Sequence, residues 1–145
     1  MTTSAERTSS RRLGYLLSVA GGVVALYLLN VWPGWRAVPV VTAAAREVVV
    51  TIDVVLAIGL VLNLGCVLRP RPLLMRAVDV VTTALGLAAV THLRAVFPFA
   101  FADGPTDWAF ITKAALTSII VVVSIALVVQ LVLFARTAAA RERRP

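Results

Sequence analysis

The sequence predicts an all-α membrane protein, a four-helix bundle that crosses the bilayer four times as a single domain over about 11–136. Its mean hydropathy is +0.94, and 60% of its residues are apolar while only 14% are charged. Soluble domains carry about 25% charged residues. A chain of 145 residues cannot bury this much apolar surface inside one water-facing globule. The apolar residues also fall into four runs, each close to the roughly 20 residues that a spanning helix needs.

The first three predicted helices cover about 13–32, 47–68 and 73–96. Pro33-Gly34 ends the first, because proline and glycine interrupt a helix. Arg69-Pro70-Arg71-Pro72 separates the second from the third. This connection is so short that the two helices must be antiparallel neighbours.

The fourth predicted helix covers about 109–134, after a loop that contains Pro98 and Pro105, and Thr106 or Asp107 can cap its first turn. The polar residues 1–10 are expected to be disordered, as chain termini of this composition often are. Residues 137–145 form a basic tail that can extend the fourth helix beyond the membrane.

The arginines predict the orientation. Thirteen of the 14 basic residues are Arg, and most of them flank the same ends of the four runs. Since cytoplasmic loops are enriched in Lys and Arg, both termini are expected in the cytoplasm, where these side chains meet anionic lipid head groups. The Arg, Ala and Val excess is typical of a GC-rich bacterial genome, which indicates the bacterial cytoplasmic membrane. Basic residues placed at the ends of apolar runs argue against a nucleic-acid partner. The predicted cytoplasmic set is Arg7, Arg11, Arg12, Arg69, Arg71, Arg76, Arg136, Arg141, Arg143 and Arg144.

A second interpretation of the N-terminus is a cleaved export signal. Ser10-Arg11-Arg12 precedes the first apolar run as in a twin-arginine signal, and Ala43-Ala44-Ala45 resembles a cleavage site. However, the run is longer than the 7–15 residues of a usual signal core, and Gly14 stands where an aromatic residue is usual. The sequence therefore favours an uncleaved first helix.

Three charged residues lie at similar depth in the outer halves of three different helices: Asp53, Arg94 and Lys113. A charge at the bilayer centre costs about 2.5–3.5 kcal/mol on insertion scales, so each needs a partner. We expect Asp53 to pair with Lys113 or with Arg94. The three residues would then form an outer charge cluster.

A second, inner polar layer is expected around Asp79, which lies about 10 Å from the inner end of the third helix. Arg76 lies one helical turn away and can pair with it. Asn63 of the second helix and Gln130 of the fourth lie at a matching depth. His92 lies about 140° around the third helix from Asp79 and is expected to make a hydrogen bond at the membrane interface.

Several classes of site lack the residues that they need. Cys66 is the only cysteine, which excludes an intramolecular disulfide and a CxxC redox pair. His92 is the only histidine, so no metal or haem site built on two histidines of one chain is expected. No nucleophile motif, metalloprotease motif or phosphate loop is present. We therefore expect no catalytic residues, metal or cofactor.

The run DVVTTALGL followed by THLRAVFPFAF, from Asp79 to Phe101, resembles a set of small four-span membrane proteins of GC-rich Gram-positive bacteria. The resemblance implies a four-helix protein of the inner membrane and brings no activity with it. Small multidrug transporters also have four spans, but they depend on a glutamate in the first. Residues 13–32 contain no acid, and the phenylalanine track of small fluoride channels has no match here either.

Two functions lead, and a membrane enzyme comes third. The first is a non-catalytic structural or accessory role, in which the protein associates with itself or docks on a larger membrane complex. The second is a small oligomeric transporter or channel that uses Asp53 or Asp79 for proton or ion coupling, because intramembrane acids often mark such paths.

Overall fold

A computed structural model describes residues 4–102 and 104–142. Four long helices dominate it: α1 (Ser4–Asn30), α2 (Ala45–Leu68), α3 (Pro72–Val96) and α4 (Trp108–Glu142), with one 3₁₀ turn at Trp35–Ala37. Each long helix is apolar and long enough to cross a membrane, and no strand occurs in the described part of the chain. The all-α, four-helix prediction is confirmed, and the protein is a multi-pass membrane protein.

The helix α1 begins earlier than the sequence indicates. Residues 4–10 are helical, which corrects the expectation of disorder over 1–10; residues 1–3 lie outside the described part. No glycine or proline occurs before Gly14, and extending an existing helix is far easier than starting one. The apolar run therefore propagates its helix into the polar residues before it.

The breaks between helices follow the local sequence. The helix α2 ends at Leu68, and Pro72 occupies the first turn of α3, where its missing N–H is harmless. Gly34 has φ +75° and ψ 151°, a conformation open essentially to glycine alone, and it turns the chain after α1. Asp107 caps α4, because its Oδ1 accepts a hydrogen bond of 2.8 Å from the Phe110 N–H.

The helices pack in chain order, α1 on α2, α2 on α3 and α3 on α4. Gly22 approaches Leu60 while Asn30 reaches Asp53, so α2 runs back along α1. Consecutive helices are therefore antiparallel. The helices α2 and α4 share no main interface within the described residues, since both pack on α3.

The bundle has two distinct ends. The hinge end contains the short connection 69–71, and a small core of Tyr15, Cys66, Met75 and Val78 lies near it. The loop end consists of segments 31–44 and 97–102, which meet through an isolated antiparallel bridge between Val41 and Phe99. Most other large apolar side chains face outward, as a surface in contact with lipid requires.

Candidate functional site

The inner polar layer centres on Asp79, in the hinge-end half of α3. It lies seven positions after Pro72, which is about 10 Å along the helix. The Tyr15 hydroxyl of α1 donates a hydrogen bond of 2.8 Å to Asp79 Oδ1, and it also lies 3.3 Å from the Met75 carbonyl oxygen. Tyr15 is only 8% exposed. A neutral donor from a different helix therefore fixes the orientation of this carboxylate.

A polar cleft of about 460 Å³ opens on one side of Asp79. Helices α1, α2 and α3 all contribute to its wall, which consists of Gly14, Tyr15, Ser18, Asn63, Asp79 and Thr82. The Ser18 and Thr82 hydroxyls and the Asn63 amide donate to carbonyls one turn earlier in their own helices. Their remaining lone pairs are oxygen acceptors in the cleft wall. The cleft can therefore hold water, a proton donor or a small cation beside the carboxylate.

A smaller cavity of about 150 Å³ lies on the other side of Asp79, between α3 and α4. Arg76, Asp79, Gln130 and Leu133 line it. Arg76 and Asp79 do not form an ion pair within 4.0 Å; the one pair at that distance in the described chain involves other residues. The Gln130 Oε1 atom is fully buried and has no hydrogen-bond partner among the residues that the structure describes. The inner layer therefore combines a cation and an acid that do not touch.

The four residues predicted for the inner layer, Asn63, Arg76, Asp79 and Gln130, thus all line the two cavities around one carboxylate. The contribution of α1 was missed, because Tyr15 looked like part of an apolar run. One signal could have revealed it: Tyr15 lies close to the inner end of the first helix, and a buried tyrosine hydroxyl usually has a hydrogen-bond partner.

The structure does not assemble the predicted outer cluster. Asp53 accepts a hydrogen bond of 2.7 Å from the Asn30 amide of α1. Arg94 Nε donates to Thr117 Oγ1 at 3.3 Å, and Lys113 Nζ lies 4.7 Å from the centre of the Phe97 ring. The acid therefore lies at the α1–α2 interface and both cations lie at the α3–α4 interface. Matching depth could not bring them together, because α2 and α4 share no main interface within the described residues and Asp53 faces α1.

His92 has a different environment from Asp79, as its angular position predicts. Its Nε2 lies 3.8 Å from Glu47 Oε1 at the loop end, between α3 and α2. The Glu47 side chain is 73% exposed and that of His92 is 31% exposed. The His92 Nε2 atom is itself buried, and at 3.8 Å this contact is too long for the hydrogen bond that the sequence predicts for His92.

No three His, Cys, Asp or Glu side chains come together as a metal site among residues 4–102 and 104–142. Cys66 is a fully buried free thiol. The chemistry available at the inner layer is therefore that of one carboxylate with neutral oxygen and nitrogen neighbours and with Arg76 on the wall of one cavity. It can bind or release a proton, bind a cation, or hold helices together.

Comparisons with family models, with curated proteins and with solved structures found no match to this chain.

Proposed function

We propose that the protein has a non-catalytic, structural or accessory role in the bacterial cytoplasmic membrane, with both termini and the hinge on the cytoplasmic side. It would act as a preassembled four-helix unit that associates with itself or with a larger membrane complex. The arginines at the hinge and near both termini support this orientation, because they would contact anionic head groups there.

One observation carries the proposal: a polar contact spans each interface between the helices. Tyr15–Asp79 joins α1 to α3, Asn30–Asp53 joins α1 to α2, Arg94–Thr117 joins α3 to α4, and Glu47–His92 joins α2 to α3. Polar contacts between membrane helices stabilise them modestly and select one register. Both intramembrane acids accept a hydrogen bond from a neutral side chain of α1, an arrangement suited to holding helices in place.

The fourth helix supports the association part of the proposal. It packs mainly against α3, and its apolar side chains point largely outward; Val122 is 65% exposed. This surface is available to lipid or to another transmembrane helix. A photo-crosslinking residue at Val122 should capture a second copy or a partner protein in native membranes, whereas the same residue at buried Leu116 should not.

A second candidate is a proton- or cation-coupled transporter or channel. The specific observation in its favour is that Asp79 borders a polar cleft and has no cation within ion-pair distance in the described chain. A carboxylate fully neutralised by arginine would be a poor proton carrier. Asp79 has instead a hydrogen bond from the neutral Tyr15 hydroxyl.

Asp79→Asn separates the two candidates, and Asp53→Asn provides the parallel variant at the other acid. The purified proteins would be compared by thermal unfolding in detergent and by proton flux in liposomes that contain a pH-sensitive dye. A structural role predicts lower thermal stability for the variants and no flux in any protein, wild type included. Flux in the wild type that Asp79→Asn abolishes, with thermal stability intact, would replace the first candidate with the second.

A further inference from the structure

A third cavity lies far from Asp79, at the loop end of the bundle. Its volume is about 470 Å³, within the roughly 300–1,000 Å³ typical of ligand sites. Its wall is almost wholly apolar and includes Leu28 of α1, Val49 of α2, Leu93 of α3, and the loop residues Trp35 and Phe99. Neither the inner polar layer nor the contacts between the helices involve this space.

The cavity is preformed by backbone hydrogen bonds. The Thr42 N–H donates to the Pro98 carbonyl at 2.9 Å, and the Ala100 N–H donates to the Val40 carbonyl at 2.8 Å. These two bonds flank the Val41–Phe99 bridge and fix the two loop segments to each other. The loops therefore form a wall at the end of the helices, and occupying the cavity requires no rearrangement of the backbone.

The wall determines what can occupy the cavity. Water is a poor occupant, because a buried water needs two to four polar partners and this lining offers almost none. An empty space of this size would deprive its lining of dispersion contacts. Because the cavity lies at the end of membrane-spanning helices, the apolar molecules nearest to it are the acyl chains of the bilayer.

One cation lies beside this wall. The Arg36 guanidinium carbon is 5.3 Å from the centre of the Trp35 ring, and Trp35 itself lines the cavity. Arg36 is exposed and forms no ion pair within 4.0 Å among the described residues. Arg46, also at the loop end, lines a separate surface depression with Glu47. An apolar cavity with an arginine at its edge that has no ion pair among the described residues matches an apolar chain that ends in a negative group.

We infer that this cavity binds one acyl chain of an anionic phospholipid, with the lipid phosphate against Arg36. The inference depends on the membrane-spanning fold and not on the proposed function, since the cavity and Asp79 lie at opposite ends of the helices. The cavity would recognise the acyl chain by its shape, and Arg36 would recognise the head group by its charge. The protein would thus hold one lipid as a specific ligand among the many that surround it.

Fluorescence quenching by lipid tests the inference directly, because Trp35 forms part of the wall. A variant that retains only this tryptophan, with Trp32→Phe and Trp108→Phe, would be placed in phosphatidylcholine vesicles. A minor fraction of the lipids would carry brominated chains, on either phosphatidylglycerol or phosphatidylcholine. We expect brominated phosphatidylglycerol to quench Trp35 with about fivefold higher apparent affinity, which corresponds to about 1 kcal/mol for one arginine near an anionic lipid.

Three variants locate the effect. Arg36→Gln should remove the preference for phosphatidylglycerol, whereas Arg46→Gln, at the same end of the molecule, should keep it. Val49→Phe should fill the cavity and reduce quenching by both lipids. A chain that retains only Trp108, which is exposed on α4, should show no head-group preference.

Equal quenching by the two lipids in the parent protein, or a preference that survives Arg36→Gln, would overturn the inference. So would undiminished quenching in Val49→Phe, provided that Cys66 of that variant is as protected from thiol reagents as in the parent. If Cys66 becomes reactive, the smaller Val49→Leu replaces Val49→Phe, and it too must reduce quenching.

Discussion

Removing the Tyr15 hydroxyl isolates the contact at the centre of the inner polar layer. Tyr15→Phe keeps the ring in the small core with Cys66, Met75 and Val78 and deletes only the hydroxyl, which donates to Asp79 and also lies 3.3 Å from the Met75 carbonyl oxygen. Hydrogen bonds to charged groups contribute about 1.5–3 kcal/mol in soluble proteins, but polar contacts between membrane helices average about 0.6 and reach about 1.7 kcal/mol. The bond is short, at 2.8 Å, and Tyr15 is largely buried. We therefore expect a loss of about 1–1.5 kcal/mol in the free energy of unfolding.

The measurement is reversible unfolding in mixed micelles of a mild detergent and dodecyl sulfate, followed by circular dichroism. Tyr27→Phe is the matched control, because Tyr27 lies on the same helix and is exposed. It should change the free energy of unfolding by less than about 0.5 kcal/mol. The comparison separates loss of the hydroxyl contact from any general effect of removing a tyrosine hydroxyl from α1.

A double-mutant cycle attributes the loss to the pair. Asp79→Leu removes the acceptor, whereas Asp79→Asn keeps an oxygen that can still accept the bond and should therefore be milder. In the Asp79→Leu background, Tyr15→Phe should cost markedly less than in the wild type. If the two effects simply add, within the roughly 0.3–0.5 kcal/mol expected of independent sites, the contact does not stabilise the protein and the reasoning fails.

Three further predictions concern other parts of the fold. Asn30→Ala removes the donor to Asp53 and should lower the free energy of unfolding by about 0.5–1 kcal/mol, a loss that should disappear in an Asp53→Ala background. Gly34→Ala should cost about 1–3 kcal/mol, because φ +75° and ψ 151° suit glycine, whereas Gly14→Ala, in an open helical position, should be neutral or stabilising; equal effects would contradict this account. Cys66 is 0% exposed, so a membrane-permeant thiol reagent should label it only after denaturation, and rapid labelling of the folded protein would show that the core is not packed as described.

The four helices, their connections and the inner polar layer were largely predictable from the sequence. Apolar runs gave the four spans, Pro70 and Pro72 gave the hinge, and Asp107 gave a helix cap that the structure confirms. Depth along the helices was enough to select Asn63, Arg76, Asp79 and Gln130, because α2, α3 and α4 are successive neighbours. The start of α1 was placed too late, since hydropathy detects the end of the apolar run and not the end of the helix.

The partners of the acids were not predictable in the same way. Equal depth suggested Lys113 or Arg94 for Asp53, yet Asn30 binds it. A favourable charge and a matching height are necessary for a pair, but the two helices must also be adjacent and turned toward each other. Tyr15 escaped notice for the same reason: nothing in its local sequence says that α1 faces Asp79.

The sequence by itself determined that the chain crosses a membrane four times, because burial in lipid depends on hydropathy summed over about 20 consecutive residues and needs no knowledge of neighbours. Only the tertiary structure decided which donor meets each carboxylate, and that an apolar cavity forms at the loop end. Both depend on the rotation and order of the helices and on the meeting of Val41 with Phe99. These are relations between distant parts of the chain, and they exist only once it has folded.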